Sequence, residues 1–255
     1  MSAGMENRFK RAMKEGKKQA GYWLTLASPM ATEISAGAGF DWMLIDMEHT
    51  PNDLTEVVDH LRAAAVGGSA EPAVRVPWNE PVIVKRLLDS GARSFMFPYV
   101  QNADEARRAV AATRYPPHGV RGYAGSSRAT RFGRIKDYAA KAHEEICVIV
   151  QIETPEAVAN IPEISKVEGV DCIFIGPNDL AANMGLLGKA SSSEVQAMIL
   201  KALKSIQAGP CCPGLLDYDV PRAKKMFDAG FGVIAVGGDT STLIKGAESL
   251  AAEFK

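Results

Sequence analysis

The sequence predicts an α/β fold, a single-domain (β/α)8 TIM barrel over residues 1–255, on three observations. Eight short apolar runs recur along the chain, and helical patterns fill the segments between them. The runs are continuous rather than alternating, as in parallel strands buried on both faces. Several stop abruptly at a charged residue, and α/β barrels place their chemistry at the carboxyl ends of their strands. An open doubly wound sheet is the alternative on pattern alone, but eight strand–helix units in 255 residues suit a barrel better.

The first expected strand is 22–27 (YWLTLA), followed by a short helix over Thr32–Gly39. The next three are 42–47 (WMLIDM), 72–76 (PAVRV) and 94–99 (SFMFPY). The last four are 147–153 (CVIVQIE), 171–176 (DCIFIG), 213–217 (PGLLD) and 232–237 (GVIAVG). Asn52-Asp53-Leu54 leads into a helix over Glu56–Ala65, and Asn102-Ala103-Asp104-Glu105 opens a capped one. Pro221–Ala229 and 240–254 read as the helices flanking the last strand. One connection breaks this rhythm. Arg114 to Asp137 is rich in Gly, Pro, Ser and Arg, and a loop of that length either folds over a site or a neighbouring subunit or is a solvated basic insertion.

Composition narrows the function. The chain is 47% hydrophobic and 23% charged, with a formal net charge of -1, so neither nucleic acid nor a membrane surface is an expected partner. Met1 to Lys18 is charged and lacks the apolar core of a signal peptide, and no apolar run is long enough to span a bilayer. Cys147 and Cys172 fall on expected strands and read as buried apolar residues. Cys211-Cys212 is a vicinal pair with redox potential, although a vicinal disulfide is strained. A reduced, cytoplasmic setting is expected.

The candidate chemistry lies at the strand ends. Strand two ends Asp46-Met47-Glu48-His49, strand three carries Arg75, strand five ends Gln151-Ile152-Glu153, and strand six turns through Gly176-Pro177-Asn178-Asp179. Ionised groups inside an apolar barrel are costly unless paired or metal-bound, which points to one mutually compensating site or to a structural ion-pair network. Glu153 and Asp179 are a plausible oxygen-ligand pair for a hard divalent cation. No expected strand carries a lysine, and Lys85 and Lys136 fall in helical or loop contexts, so Schiff-base chemistry is disfavoured. Arg75 suits an oxygen that becomes negative, and His49 suits general acid/base work near neutral pH. Of the other histidines, His60 and His143 are expected at the surface and His118 lies in the long loop. The Gly176–Leu180 turn could hold a carboxylate on free helix amides, and Val236-Gly237-Gly238-Asp239 is a weaker candidate anion site.

Residues 37–53, 72–89, 97–122 and 147–185, with their IDMEH, VRVPW, QIET and GPNDL segments, resemble the HpcH/HpaI aldolase family, and the resemblance runs from about Phe9 to Ala252. It implies a (β/α)8 barrel, a divalent metal (Mg2+, Mn2+ or Co2+) and class II retro-aldol cleavage of a 4-hydroxy-2-oxo acid to pyruvate and an aldehyde. By motif, Glu153 and Asp179 would bind the metal and Arg75 would stabilise the pyruvate enolate. His49 would be the acid/base, oriented by Asp89, with Asp46 and Glu48 holding waters and the histidine. The substrate-binding set is Arg75, Gln151, Gly176, Pro177, Asn178, Asp179 and Leu215. The resemblance also implies a homo-oligomer, a hexamer, with the helix over 240–254 exchanged between subunits; Leu243, Leu250 and Phe254 would pack there or on their own barrel. Two rivals are an acyl-CoA lyase of the citrate lyase β-subunit type and a non-catalytic barrel with a decayed site.

Overall fold

The computed structural model describes residues 5–255; the first four residues of the expected domain and of its charged amino-terminal stretch lie outside the described residues. Eight parallel strands close into a barrel in sequence order. They are β1 (Gln19–Leu24), β2 (Trp42–Asp46), β3 (Glu71–Arg75), β4 (Ser94–Phe97), β5 (Cys147–Ile152), β6 (Cys172–Ile175), β7 (Cys212–Leu216) and β8 (Val233–Gly238). Helix α1 (Arg8–Lys14) precedes them, and α2 (Pro29–Ala36), α3 (Leu54–Gly67), α4 (Pro81–Asp89) and α5 (Ala103–Thr113) follow the first four in turn. Then come α6 (Tyr138–Glu145), α7 (Pro155–Ala159), α8 (Ile161–Ile164), α9 (Pro177–Asn183), α10 (Ser193–Gln207), α11 (Val220–Ala229) and α12 (Asp239–Ala252).

Local chemistry sets the helix starts. Ser28 accepts from the Ala31 amide at 3.3 Å with Pro29 as the first helical residue, which is why α2 begins three residues before the expected Thr32. Glu56 accepts from the Asp53 amide at 3.0 Å, and Asn102 from the Glu105 amide at 3.0 Å. β1 stops at Leu24 rather than reaching residue 27, because the amides of Thr25 and Leu26 turn to the Asp239 carboxylate at 2.9 and 3.1 Å. That carboxylate also accepts from the Thr240 amide at 2.7 Å, so it staples the first strand to the turn after the last. The residues of the weaker candidate anion site are thereby occupied by a fixed anion of the chain's own.

Strand alternation divides the core in two. One set of side chains fills the barrel: Trp42, Leu44, Ala73, Met96, Cys147, Ile149, Cys172 and Phe174, plugged from below by Phe9 and Met13 of α1. The other set, including Met43, Ile45, Val148, Val150 and Ile152, packs against Val57, Leu61, Leu87 and Ile199 of the surrounding helices. Trp42 stacks on Phe9 with centroids 5.0 Å apart and meets Phe174 edge-on at 6.3 Å. Gly21 is required beside it, since a Cβ there would fall 2.0 Å from the indole.

Three expectations need correction or completion. His60 is buried, not at the surface: its Nε2 donates to Asn52 at 3.0 Å and its Nδ1 pairs with the Thr32 hydroxyl at 2.6 Å. The long 114–137 connection packs on its own barrel beside the residues that precede β3, β4 and β5, helping to line a cavity of about 740 Å³ at the end away from the strand C-termini. It carries the fully buried Arg121, whose guanidinium lies between the Tyr115 and Tyr138 rings at 4.4 and 5.4 Å. Helix α12 stands away from its own barrel, with Leu243, Leu250 and Phe254 at 61%, 65% and 84% exposure, so packing of those three on their own barrel is overturned. All four cysteines are free, and Cys211 is a buried packing residue whose thiol burial pushes up to about 12.

Replacing the fully buried Trp42 with Ala removes the centre of the interior stack. The expected cost is about 3–5 kcal/mol, read from urea denaturation midpoints. A loss below ~1 kcal/mol would show that α1 and Phe174 close over the gap.

Candidate active site

Alternation also delivers the charged groups. Inward positions on β2 run Trp42, Leu44, Asp46, those on β3 Ala73, Arg75, and those on β5 Cys147, Ile149, Gln151, with Glu153 one step beyond the strand. Asp46 and Arg75 are direct neighbours in the β2–β3 register. Arg75 donates to Asp46 through Nε at 2.9 Å and Nη2 at 2.5 Å, and its Nη1 lies 2.9 Å from Glu48 Oε2 without the alignment of a hydrogen bond. Trp23 adds an indole N–H to Asp46 at 3.2 Å, and its ring lies 4.9 Å below the guanidinium. Burial pushes the Asp46 carboxyl up, but the Arg75 fork outweighs it and holds Asp46 below the usual carboxylate range. Thr50 and Asn52 both donate to the Asp46 carbonyl, the latter at 2.8 Å, and the His60 bond fixes Asn52 in turn. Burial lowers the His60 pKa, which favours a neutral ring with its proton on Nε2.

Glu153 is the most perturbed carboxylate. It accepts from Gln151 Nε2 at 2.6 Å and from the Tyr99 amide at 3.1 Å. Tyr99 holds a left-handed backbone, φ +55°, to present that amide, and its ring stacks on Trp78 at 6.2 Å. Burial first, then the negative charges of Asp179 and Glu48, push Glu153 up to about 8. Burial likewise raises Glu48, partly countered by Arg75 and His49. Gly176 makes room for this arrangement, since a Cβ there would meet Glu153 Oε1 at 2.3 Å and Gln151 Nε2 at 2.8 Å.

A cavity of about 440 Å³ at the strand C-termini is lined by Asp46, His49, Arg75, Gln151, Glu153, Gly176, Pro177, Asn178, Asp179 and Leu215. Glu48 adjoins it through Arg75. Asp89 is elsewhere: it ends α4 and pairs with Arg121 at 3.1 Å, whereas His49, 65% exposed, has Glu48 as its carboxylate neighbour at 3.9 Å. Among the described residues no group of three or more His, Cys, Asp or Glu forms a closed metal cage. Two carboxylates and the unpartnered, buried Gln151 Oε1 nevertheless fit a hard cation that keeps open positions for water and substrate. Sequence reasoning missed Trp23, the Tyr99 amide, Tyr218 and the Asp217–Arg222 pair. The inward-facing tryptophan and the Asp ending the seventh apolar run were the available signals.

Comparison with known proteins gives this geometry a class. The chain is 51% identical over 251 residues to the 4-hydroxy-2-oxo-heptane-1,7-dioate aldolase of Escherichia coli, covering 98% of this chain and 95% of that one. An HpcH/HpaI aldolase/citrate lyase family protein from Burkholderia cenocepacia superposes with a TM-score of 0.94 at 40% identity, over 97% of this chain and 99% of that one. An HpcH/HpaI aldolase from Desulfitobacterium hafniense does so with a TM-score of 0.88 at 28% identity, over 96% of each. Fold, site and relatives together define a carbon–carbon lyase of the aldolase type. The model of the HpcH/HpaI aldolase/citrate lyase family matches residues 19–246, and the chain belongs to that family.

A raised carboxyl pKa has a definite sign. Glu153 binds its proton more tightly folded, at about 8, than at its ordinary 4.5, so its contribution to stability is present below about 4.5 and is lost as pH rises through about 8. Metal-free protein should therefore lose thermal stability between about pH 5 and pH 9. Glu153→Gln should flatten that decline, and parallel melting curves of the two proteins would refute the assignment.

Proposed function

We propose that this chain is a metal-dependent (class II) pyruvate aldolase that reversibly cleaves a 4-hydroxy-2-oxo acid to pyruvate and an aldehyde. The diacid named for its relatives, 4-hydroxy-2-oxo-heptane-1,7-dioate, is the proposed substrate, and its cleavage yields pyruvate and 4-oxobutanoate. The observation that carries this reading is the buried Glu153 carboxyl beside Asp179 and the paired Arg75, a site with surplus negative charge and one guanidinium aimed at the reacting end.

Glu153 and Asp179 would hold the divalent cation, Mg2+, Mn2+ or Co2+. When bound, it would supply Lewis-acid polarisation of the C2 keto group. The chain's own residues do the rest. The amides of Asn178 and Asp179, in the unsatisfied first turn of α9, receive the substrate carboxylate. His49, through water, takes the proton of the C4 hydroxyl as the C3–C4 bond breaks; the C4–O bond becomes a carbonyl and the bonding pair moves into a C2–C3 enolate. Arg75 has two of its five N–H groups left beyond the Asp46 and Glu48 contacts, and these face the enolate oxygen. Protonation at C3 then gives pyruvate, and the reverse sequence forms the new bond.

Asp89 is committed to Arg121 within its own chain, so its proposed orienting role toward His49 belongs to the assembled hexamer. The exposed apolar face of α12 supports assembly. Light scattering should give a multiple of the 27.3 kDa chain mass, and a monomer at micromolar concentration would end that part of the proposal. No described helix is long and apolar enough to cross a membrane, and the proposed enzyme is cytoplasmic and acts on small molecules.

NMR of pyruvate in deuterated water should show methyl-proton exchange that requires added Mg2+ or Mn2+ and stops with a chelator. Arg75→Ala should slow that exchange by about 10²–10³-fold. His49→Ala should slow aldol cleavage by about 10²–10⁴-fold while metal affinity stays near wild type. No exchange with either metal would shift the reading to the acyl-CoA lyase, to be assayed with a thioester.

A further inference from the structure

The cavity does not end at the pyruvate-sized space beside Glu153 and Arg75. Its lining continues over the β7–α11 connection through Leu216, Asp217, Tyr218 and Asp219 to Arg222. A substrate cleaved at the inner end therefore has its other end among these residues.

Charge makes this outer wall selective. Among the described lining residues the permanently cationic side chains are Arg75 and Arg222. Arg75 is 7% exposed and committed to Asp46 and Glu48 at the reacting end. Arg222 is 34% exposed at the mouth and forks onto Asp217, with Nε at 2.6 Å from Oδ2 and Nη2 at 2.8 Å from Oδ1. Asp217 is 4% exposed and also accepts from the Asp219 amide at 3.0 Å, while the Asp219 side chain accepts from the Arg222 amide at 2.8 Å. The guanidinium is thus held from its side chain and from its backbone, and its Nη1 edge has no hydrogen-bond partner among the described residues. With Asp179, Asp217 and Asp219 also in the lining, the open Nη1 edge of Arg222 is the one cationic donor that the outer cavity offers an entering anion.

We propose that Arg222 is a specificity-determining residue that receives the terminal carboxylate of the aldehyde fragment, with Asp217 as its positioning residue. The substrate class is then a 4-hydroxy-2-oxo diacid, and in the synthetic direction an aldehyde ending in a carboxylate. A guanidinium edge pre-oriented by a buried carboxylate pairs with such a group at little entropic cost, whereas a neutral aldehyde leaves that edge to water. A purely structural fork would hold the β7–α11 turn equally well but would not distinguish aldehydes by charge. The proposal rests on the aldolase reading above and refines it.

The test compares kcat/KM for 4-oxobutanoate and for butanal, which has the same chain length and no carboxylate, each with pyruvate and Mg2+. Pyruvate proton exchange by the wild-type enzyme is measured first: its absence removes the aldolase reading and this proposal with it. Where exchange is present, the wild type should prefer 4-oxobutanoate by at least about tenfold, mostly in KM. Arg222→Gln should bring that ratio close to one, and Arg222→Lys should keep part of it. Because Arg222→Gln leaves Asp217 buried without its partner, the double variant Asp217→Leu/Arg222→Leu repeats the measurement with neither charge present. A wild type without preference overturns the proposal, as does a ratio that survives in the double variant.

Discussion

A buried fork between Asp46 and Arg75 joins β2 and β3 where the packed interior of the barrel gives way to the cavity, and the rest of the site depends on it. The two residues are register neighbours, so the sheet itself sets the separation of their Cα atoms. Burial alone would push Asp46 toward its neutral form, and an unpaired guanidinium at that depth would be costly. Together they hold each other charged and leave the far edge of the guanidinium facing the cavity. The indole of Trp23, the Thr50 hydroxyl and the Asn52–His60 pair brace this fork from different elements. The supporting side chains are themselves buried or hydrogen-bonded, the condition under which a reacting group keeps its geometry.

Across the cavity the balance is left unfinished. Among the described residues Glu153 and Asp179 form no salt bridge, and burial, with the neighbouring charges of Asp179 and Glu48, pushes the Glu153 carboxyl up to about 8. On the proposed reading, such a site would exchange the Glu153 proton for a cation. On the same reading Arg75 and the acidic pair divide the work: one half is neutralised internally and would position substrate, while the other would take the cation as its counter-charge.

Much of the architecture was legible because strands buried on both faces leave continuous apolar runs, which located all eight strands to within three residues. The charged residues ending those runs were legible for the same reason: a carboxylate after VIVQI has no structural excuse. What escaped depended on geometry rather than residue type. The Tyr99 amide reaches Glu153 only through a left-handed turn. His60 is buried because of Thr32, 28 residues away, and Asn52. The interior plug α1 lies in a stretch whose only sequence signal is its charge, although Phe9 and Met13 fill the barrel floor. The pair Asp217–Arg222 is ordinary in sequence and becomes informative only once it lines the same cavity as Glu153.

The Asp239 staple has a bearing on synthesis. It ties the exit of β1 to the turn after β8, across 214 residues of chain. At roughly 5–20 residues per second, β1 emerges about 10–40 s before the partner that closes its open edge. During that interval the edge has β2 on one side and nothing on the other, so a nascent chain carries an unpaired parallel strand rich in aromatic side chains. A fold whose first element is completed by its last holds a few contacts of very long sequence separation, and its exposure to mispairing is greatest before the ribosome has finished.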